Sequence, residues 1–371
     1  MRRHEFPRNK EQHEMTTRRE FIGGAARALA GVAFMGCDLV TGAHVNAQGA
    51  PAPRRQVVVN GRRMRTVDIH AHCAFPQAME LLGLKPEPAG MVMGPSRLAA
   101  MDQQGIDIAA LSINPSWYRA ERDVAQAVIK LQNEKLAELC AAQPERFVAF
   151  ATIALQHPDL AVQQLEHGVK MLGLRGVSVG GNVDGVELAD PKFHPVWAKA
   201  EELGCLVFIH PVPVPELNKR FAGRNGDLRN IIGFPLDTTI ALSHLIFEGT
   251  LDRFPGLKIC ASHGGGFLGS YAPRSDAVCI SLPQRCTGVT LKKKPTEYLR
   301  QLYYDTIVFT PEAMRHLVAE LGASQLLLGT DEPFPWNRTA VDHVLSTPGV
   351  SDADLAAMLG GTAARLLGIR T

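Results

Sequence analysis

Thr66-Val67-Asp68-Ile69-His70-Ala71-His72 is the stretch on which the reading of the fold turns. Val67 and Ile69 alternate with polar neighbours, which is the period of a strand, and in an extended chain residues i and i+2 point to the same face. Such a strand enters a core and delivers His70 and His72 side by side at its carboxyl end. Two adjacent imidazoles are half of a metal site, or else two rings that hydrogen-bond locally, and the pair alone leaves both open.

Outward from this strand, short apolar runs alternate with longer stretches whose apolar residues recur at helical spacing. Counting the first, the runs number eight: 66–70, 108–113, 147–153, 176–179, 206–210, 258–263, 302–305 and 326–331. Helical spacing occupies 121–140, 159–171, 195–203, 236–254 and 311–321. This rhythm predicts an α/β protein of βα units, and eight of them predict a (β/α)8 TIM barrel in a single domain, 66–371. An open, doubly wound dinucleotide-binding sheet has no support, because no Gly-x-Gly-x-x-Gly follows an early strand. Residues 211–235, rich in proline, glycine and charge, read as a loop over the barrel mouth.

The chain has 371 residues, of which 46% are hydrophobic and 20% charged, enough to bury a large core. Its beginning differs from the rest. Thr16-Thr17-Arg18-Arg19-Glu20-Phe21-Ile22 puts paired arginines before a small-residue apolar run, and Val45-Asn46-Ala47 offers a cleavage site. Residues 1–47 thus resemble a bacterial twin-arginine export signal, followed by a linker and lead-in over 48–65. The apolar run is too short and too rich in glycine and alanine for a membrane span. The expected compartment is the periplasm, and the expected first partner is the twin-arginine export machinery. Removing 1–47 leaves 32 basic and 32 acidic residues, so nucleic acid and anionic membrane surfaces are not expected partners of the mature chain. Six cysteines remain; without paired spacing they read as free structural thiols. Folded export suits a metal site whose ligands come together only on folding.

The polar residues that punctuate the strands fall at carboxyl ends: His70 and His72 on the first, His210 on the fifth, His263 on the sixth, Asp331 on the eighth. In a barrel these ends share one mouth, where active sites of this fold lie. The set predicts a shared metal site at that rim.

These residues lie in stretches that resemble the metal-dependent amidohydrolase superfamily, and within it the branch of aminocarboxymuconate semialdehyde decarboxylase. The matching stretches are Val67-Asp68-Ile69-His70-Ala71-His72, residues 97–107, Phe208-Ile209-His210-Pro211, residues 235–241, Ser262-His263-Gly264-Gly265-Gly266 and Leu328-Gly329-Thr330-Asp331-Glu332-Pro333-Phe334. The resemblance implies that His70, His72, His210 and Asp331 bind one divalent ion, Zn²⁺ first and Mn²⁺ as an ion the same ligands accept. No lysine stands at the end of the fourth strand to bridge two metals, so one ion is expected. By the same resemblance His263 lies beside the metal-held water and returns its proton to carbon, the other reading being a fifth ligand. Arg274, eleven residues on, is implied to hold the substrate carboxylate with its guanidinium fork, an ordinary surface arginine being the alternative. Arg97 and Asp102 read as a structural ion pair or cap. Trp117 with Tyr118, and Phe334 with Trp336, either wall the pocket or pack at the barrel top. The implied activity is non-oxidative, metal-dependent removal of carbon dioxide from a small aromatic or conjugated unsaturated carboxylic acid, by a homodimer. Hydrolysis of a lactone, ester or amide is the rival chemistry, and a non-catalytic periplasmic small-molecule binding protein the rival class.

Overall fold

The computed structural model describes residues 53–370 except 86–88, 213 and 224–225; the twin-arginine segment lies outside them. All eight predicted strands are present: β1 Val67–His72, β2 Ile108–Ser112, β3 Phe147–Ala149, β4 Gly176–Gly180, β5 Leu206–His210, β6 Lys258–Ala261, β7 Tyr303–Asp305 and β8 Leu326–Leu327. β1 to β3 pair in parallel, and so do β4 to β8. Two seams join these arcs. Ala151 N donates to Gly176 O at 2.8 Å between β3 and β4, while Ile69 N donates to Leu328 O and Asp331 N to His70 O between β1 and β8. The sheet therefore closes into a barrel, with no edge strand in it among the described residues.

The helices that cover it include α1 Pro95–Gln104, α2 Arg122–Ala142, α3 Pro158–Lys170, α4 His194–Leu203, α5 Phe234–Phe247, α6 Leu268–Ser281, α7 Pro311–Leu321 and α8 Thr362–Leu367. The single helix predicted over 236–254 is broken after Phe247, because Gly249 adopts a left-handed φ of 75° and starts a separate turn, Thr250–Arg253. The predicted loop 211–235 is partly helical: Pro215–Arg220 forms a short helix, and a wide turn at Arg229–Gly233 runs into α5. In the lead-in, an Asn60-Gly61 turn joins Val58–Val59 to Arg62–Arg63 as a hairpin, with Val57 and Val59 buried.

The core has two layers. Val67, Ile69, Ile108, Ala110, Leu206, Phe208 and Leu327 fill the barrel interior together with Leu366 and Leu367 of α8. Ala71, Leu111, Val177, Val207 and Ile259 belong to the layer between sheet and helices. One irregularity places the functional end of β1. Asp68 pairs with Ala109 and Ala71 with Leu111, so β1 carries one residue more than β2 across this interval. Strict alternation would put Ile69 and Ala71 on one face and His70 on the other. The bulge changes the parity, so Ile69 and then His70 both face inward, and His72 pairs with Ser112 above them.

Not all the cysteines are free. Cys279, near the end of α6, forms a disulfide with Cys286, their Cα atoms 4.4 Å apart, because Pro283 opens a turn that folds the chain back on the helix end. Cys73, Cys140, Cys205 and Cys260 carry free thiols.

Candidate metal centre

The bulge delivers His70 to the mouth, and its two ring nitrogens then face different partners. Nδ1 lies 2.7 Å from Asp305 Oδ2 at the end of β7, while Nε2 lies 2.9 Å from His72 Nε2 and 3.2 Å from Asp331 Oδ1. Asp305 also accepts from the backbone N–H groups of His263 and Gly264 at 2.9 Å and of Ile307 at 3.0 Å. Burial acts to raise its pKa, but the hydrogen bond and charge of His70, the charge of His263 and the Gly264 N–H outweigh burial and hold the carboxyl below its usual range. His210 ends β5 with Nδ1 3.1 Å from Pro211 O, which leaves its Nε2 for the centre. Histidines that ligate metals characteristically commit the other ring nitrogen to a carboxylate or carbonyl in this way.

Asp331 follows β8 with a left-handed φ of 65°, its N–H given to His70 O at 2.9 Å. Its Oδ1 is 2.9 Å from His72 Nε2, and its Oδ2 accepts the indole N–H of Trp336 at 2.8 Å. His263, just after β6, also has positive φ (54°), and its Nε2 lies 4.0 Å from Asp331 Oδ2. One ligand atom from each of His70, His210, His263 and Asp331 falls within 4.8 Å of the others. His72 stands against three of these groups, His70, His210 and Asp331, so all five strand-end residues meet. By distance alone His263 is within ligand reach as well.

The charges show what this cluster needs. Burial disfavours charge on every ring: it pushes His210 well below the ordinary histidine value, lowers His72, and with His70 nearby brings His263 down to about 4. His70 is the exception. Burial acts against it too, but Asp331 and Asp305 on either side raise it to about 10. Two buried carboxylates thus demand positive charge at the point where neutral imidazole lone pairs converge. In the absence of a cation a proton on His70 answers that demand; a divalent ion fits the same residues with more charge and more ligands.

Two residues at the site were not singled out from the sequence. Asp305 is one, although its position at the end of an apolar run is the same signal that marked the other strand ends. Asp68 is another: it accepts from Thr330 Oγ1 at 2.5 Å and from His70 N at 3.0 Å, tying β1 to β8. Arg97 and Asp102 do not pair. Five residues apart on α1, they point about 140° away from each other. Arg97 is buried and donates to His72 O at 2.8 Å, whereas Asp102 meets Arg54 and Arg146. Trp117 and Tyr118 stand away from the cavity over the cluster: the buried Trp117 indole donates to Ile153 O, and Tyr118, its Oη accepting from Gly180 N, borders a separate cavity with Asn182 and Val212.

Over the cluster opens a cavity of about 610 Å³. His263 and Asp331 border it, its walls include Ile231, Phe234, Phe267, Phe309 and Trp336, and Asn230 is a polar residue among them. Among the described residues, none that lines it is lysine or arginine. Arg274, exposed on α6, is not brought to this cavity. It lines a neighbouring one of about 400 Å³ with Thr239, Ser243, Tyr271 and both disulfide cysteines, and Phe267 borders both.

A closed (β/α)8 barrel with buried histidines and an aspartate converging at its carboxyl-end mouth defines a metal-dependent barrel enzyme. The amidohydrolase family model matches residues 67–369. The chain is 30% identical over 276 residues to 2-amino-3-carboxymuconate-6-semialdehyde decarboxylase of Dictyostelium discoideum, covering 74% of this chain and 76% of that one. It is 29% identical over 328 residues to gamma-resorcylate decarboxylase of Rhizobium radiobacter, with 81% and 97% covered. Among solved structures, 5-carboxyvanillate decarboxylase from Sphingomonas paucimobilis superposes with a TM-score of 0.76 at 26% identity, covering 83% of this chain and 100% of that one. A dihydroxybenzoic acid decarboxylase from Polaromonas, with bound manganese and 2-nitroresorcinol, gives 0.73 at 26%, with 82% and 98% covered. The chain belongs to the amidohydrolase family, in the branch that includes aminocarboxymuconate semialdehyde and gamma-resorcylate decarboxylases.

Proposed function

We propose that this protein is a metal-dependent decarboxylase that removes carbon dioxide, without oxidation, from a small aromatic or conjugated unsaturated carboxylic acid. The observation that carries this is the buried histidine–aspartate cluster beneath an aromatic-walled cavity, in a chain whose relatives are decarboxylases of such acids.

His70, His72, His210 and Asp331 are the residues proposed to hold the cation, with Asp305 orienting His70. When bound, the cation supplies Lewis-acid stabilisation of negative charge on the substrate. When the carbon–carboxyl bond breaks, its electron pair stays on the substrate carbon, which must receive a proton. His263 is proposed to move that proton, a reading supported by its ring, which borders the cavity and lies nearly parallel to Phe234 with the centroids 6.4 Å apart. Imidazole and carboxylate ligands favour Zn²⁺ and also accept Mn²⁺, the ion bound in the Polaromonas relative. The Cys279–Cys286 disulfide supports the periplasmic assignment, since such bonds persist in oxidising compartments. Exposed Tyr271, Val278 and Ile280 along α6 support the homodimer, which sedimentation checks.

The test is protein loaded separately with Zn²⁺ and Mn²⁺ and offered hydroxybenzoates, carboxymuconates and lactones. Carbon dioxide release from an acid is the expected result. Lactone opening with no carbon dioxide from any acid would overturn the reading.

A further inference from the structure

We propose that Trp336 is a positioning residue for the cation site, its indole N–H fixing the Asp331 carboxylate so that a single oxygen faces the cation while its ring walls the substrate cavity; this rests on reading the cluster as a cation site.

The two oxygens of Asp331 have divided roles. Oδ1 faces the Nε2 atoms of His72 and His70 at 2.9 and 3.2 Å, and Oδ2 takes the indole N–H at 2.8 Å. A carboxylate's terminal torsion is broad and two-fold, so without an external donor either oxygen, or both, could turn to the ligands. The main chain of Asp331 is already held, with φ at 65° and its N–H on His70 O. What remain are the side-chain torsions, and the bond to Trp336 fixes the terminal one. The indole is itself held, because it stacks on Phe334 with centroids 4.7 Å apart and planes 4° off parallel, and Phe334 meets the His72 ring at 5.6 Å. His72, Phe334, Trp336 and Asp331 therefore form a ring of contacts linking two proposed ligands. Trp336 nevertheless stays 44% exposed and borders the cavity, so the side chain that orients the ligand also offers a flat face to an aromatic acid.

Trp336→Phe separates the two roles, keeping a ring on Phe334 and removing the N–H. Mn²⁺ affinity, followed by electron paramagnetic resonance of the free ion, is expected to fall about tenfold, as for other groups that orient metal ligands. The visible spectrum of the Co²⁺ form should change, and at saturating Mn²⁺ kcat should fall while KM for an aromatic acid stays put. Trp336→Leu, which also removes the wall, should match the affinity loss and raise KM several-fold. Unchanged Mn²⁺ affinity and Co²⁺ spectrum in Trp336→Phe would sink the positioning role, and a wild-type KM in Trp336→Leu the wall. Because metal binding is read without turnover, a wild-type chain that binds Mn²⁺ but releases no carbon dioxide contradicts only the decarboxylase reading.

Discussion

Asp305 joins two residues with different jobs: one of its oxygens takes the His70 ring and the His263 backbone, and the other takes the N–H of Gly264. Asp305→Asn removes the charge that polarises His70 and should weaken metal binding by roughly 10–100-fold, measured by chelator competition. His263→Asn should keep the metal and lower kcat by roughly 10²–10⁴-fold, the usual loss for a general acid–base group. A parallel loss of bound metal would make His263 a ligand instead. Asp237 gives the residue-scale prediction for pH. Burial raises its pKa to about 6 against the bonds it accepts from Val212 N and Asn182. A carboxyl raised on folding binds more protons folded than unfolded. Its contribution is therefore fully present below the unfolded value, near 4, and is lost as pH rises through 6. Asp237→Asn should flatten that fall in a denaturant titration series between pH 4 and 7; an unchanged slope would assign the pH dependence to other groups.

Elements set these residues in place through close approaches that tolerate few substitutions. After β6 the chain leaves through three glycines, and a Cβ on Gly266, whose φ is 67°, would lie 2.1 Å from Pro235 O at the start of α5. Only glycine allows β6 and α5 to meet there while His263 keeps its turn. Gly266→Ala should lower the melting temperature by about 5 °C or more and reduce kcat through a displaced His263, as seen by calorimetry and turnover together. The disulfide closes a short loop between Cys279 and Cys286 at the end of α6. A chain-entropy argument gives it about 2–3 kcal/mol of stability. Cys279→Ser with Cys286→Ser should show that loss on denaturation and leave metal content unchanged, since the bridge lies on the neighbouring cavity. The β1 bulge belongs to this scale too. Alternation along 66–72 marks a strand, but an extra residue shows only when β1 is paired with β2, because register belongs to the pair and not to either sequence.

For the molecule as a whole, the cluster places two carboxylates and four imidazoles in or at the edge of the buried core, and a cation offsets their desolvation. Metal removal by a chelator should lower the melting temperature, with restoration on adding Zn²⁺ or Mn²⁺. Linkage sets the size at about 4 kcal/mol when free metal is a thousand times its Kd. No change on removal would mean that the cluster holds no cation. The order of eight βα units and the five residues at strand ends were legible in the chain because both follow from local periodicity: an apolar run ends, and a polar residue marks where. Asp305 obeys the same rule, yet its meaning comes from facing His70, 235 positions away. The placement of Arg274, read from its distance to His263, could not be settled that way, since spacing along a helix does not say which cavity the helix borders. By itself, then, the sequence determined the barrel and the chemistry of its rim. The tertiary structure alone decided the inward turn of His70, the division of the Asp331 oxygens by Trp336, the pairing of Cys279 with Cys286 and the separate cavity of Arg274. Each of these depends on how neighbouring segments pack and pair in space, which no local pattern encodes.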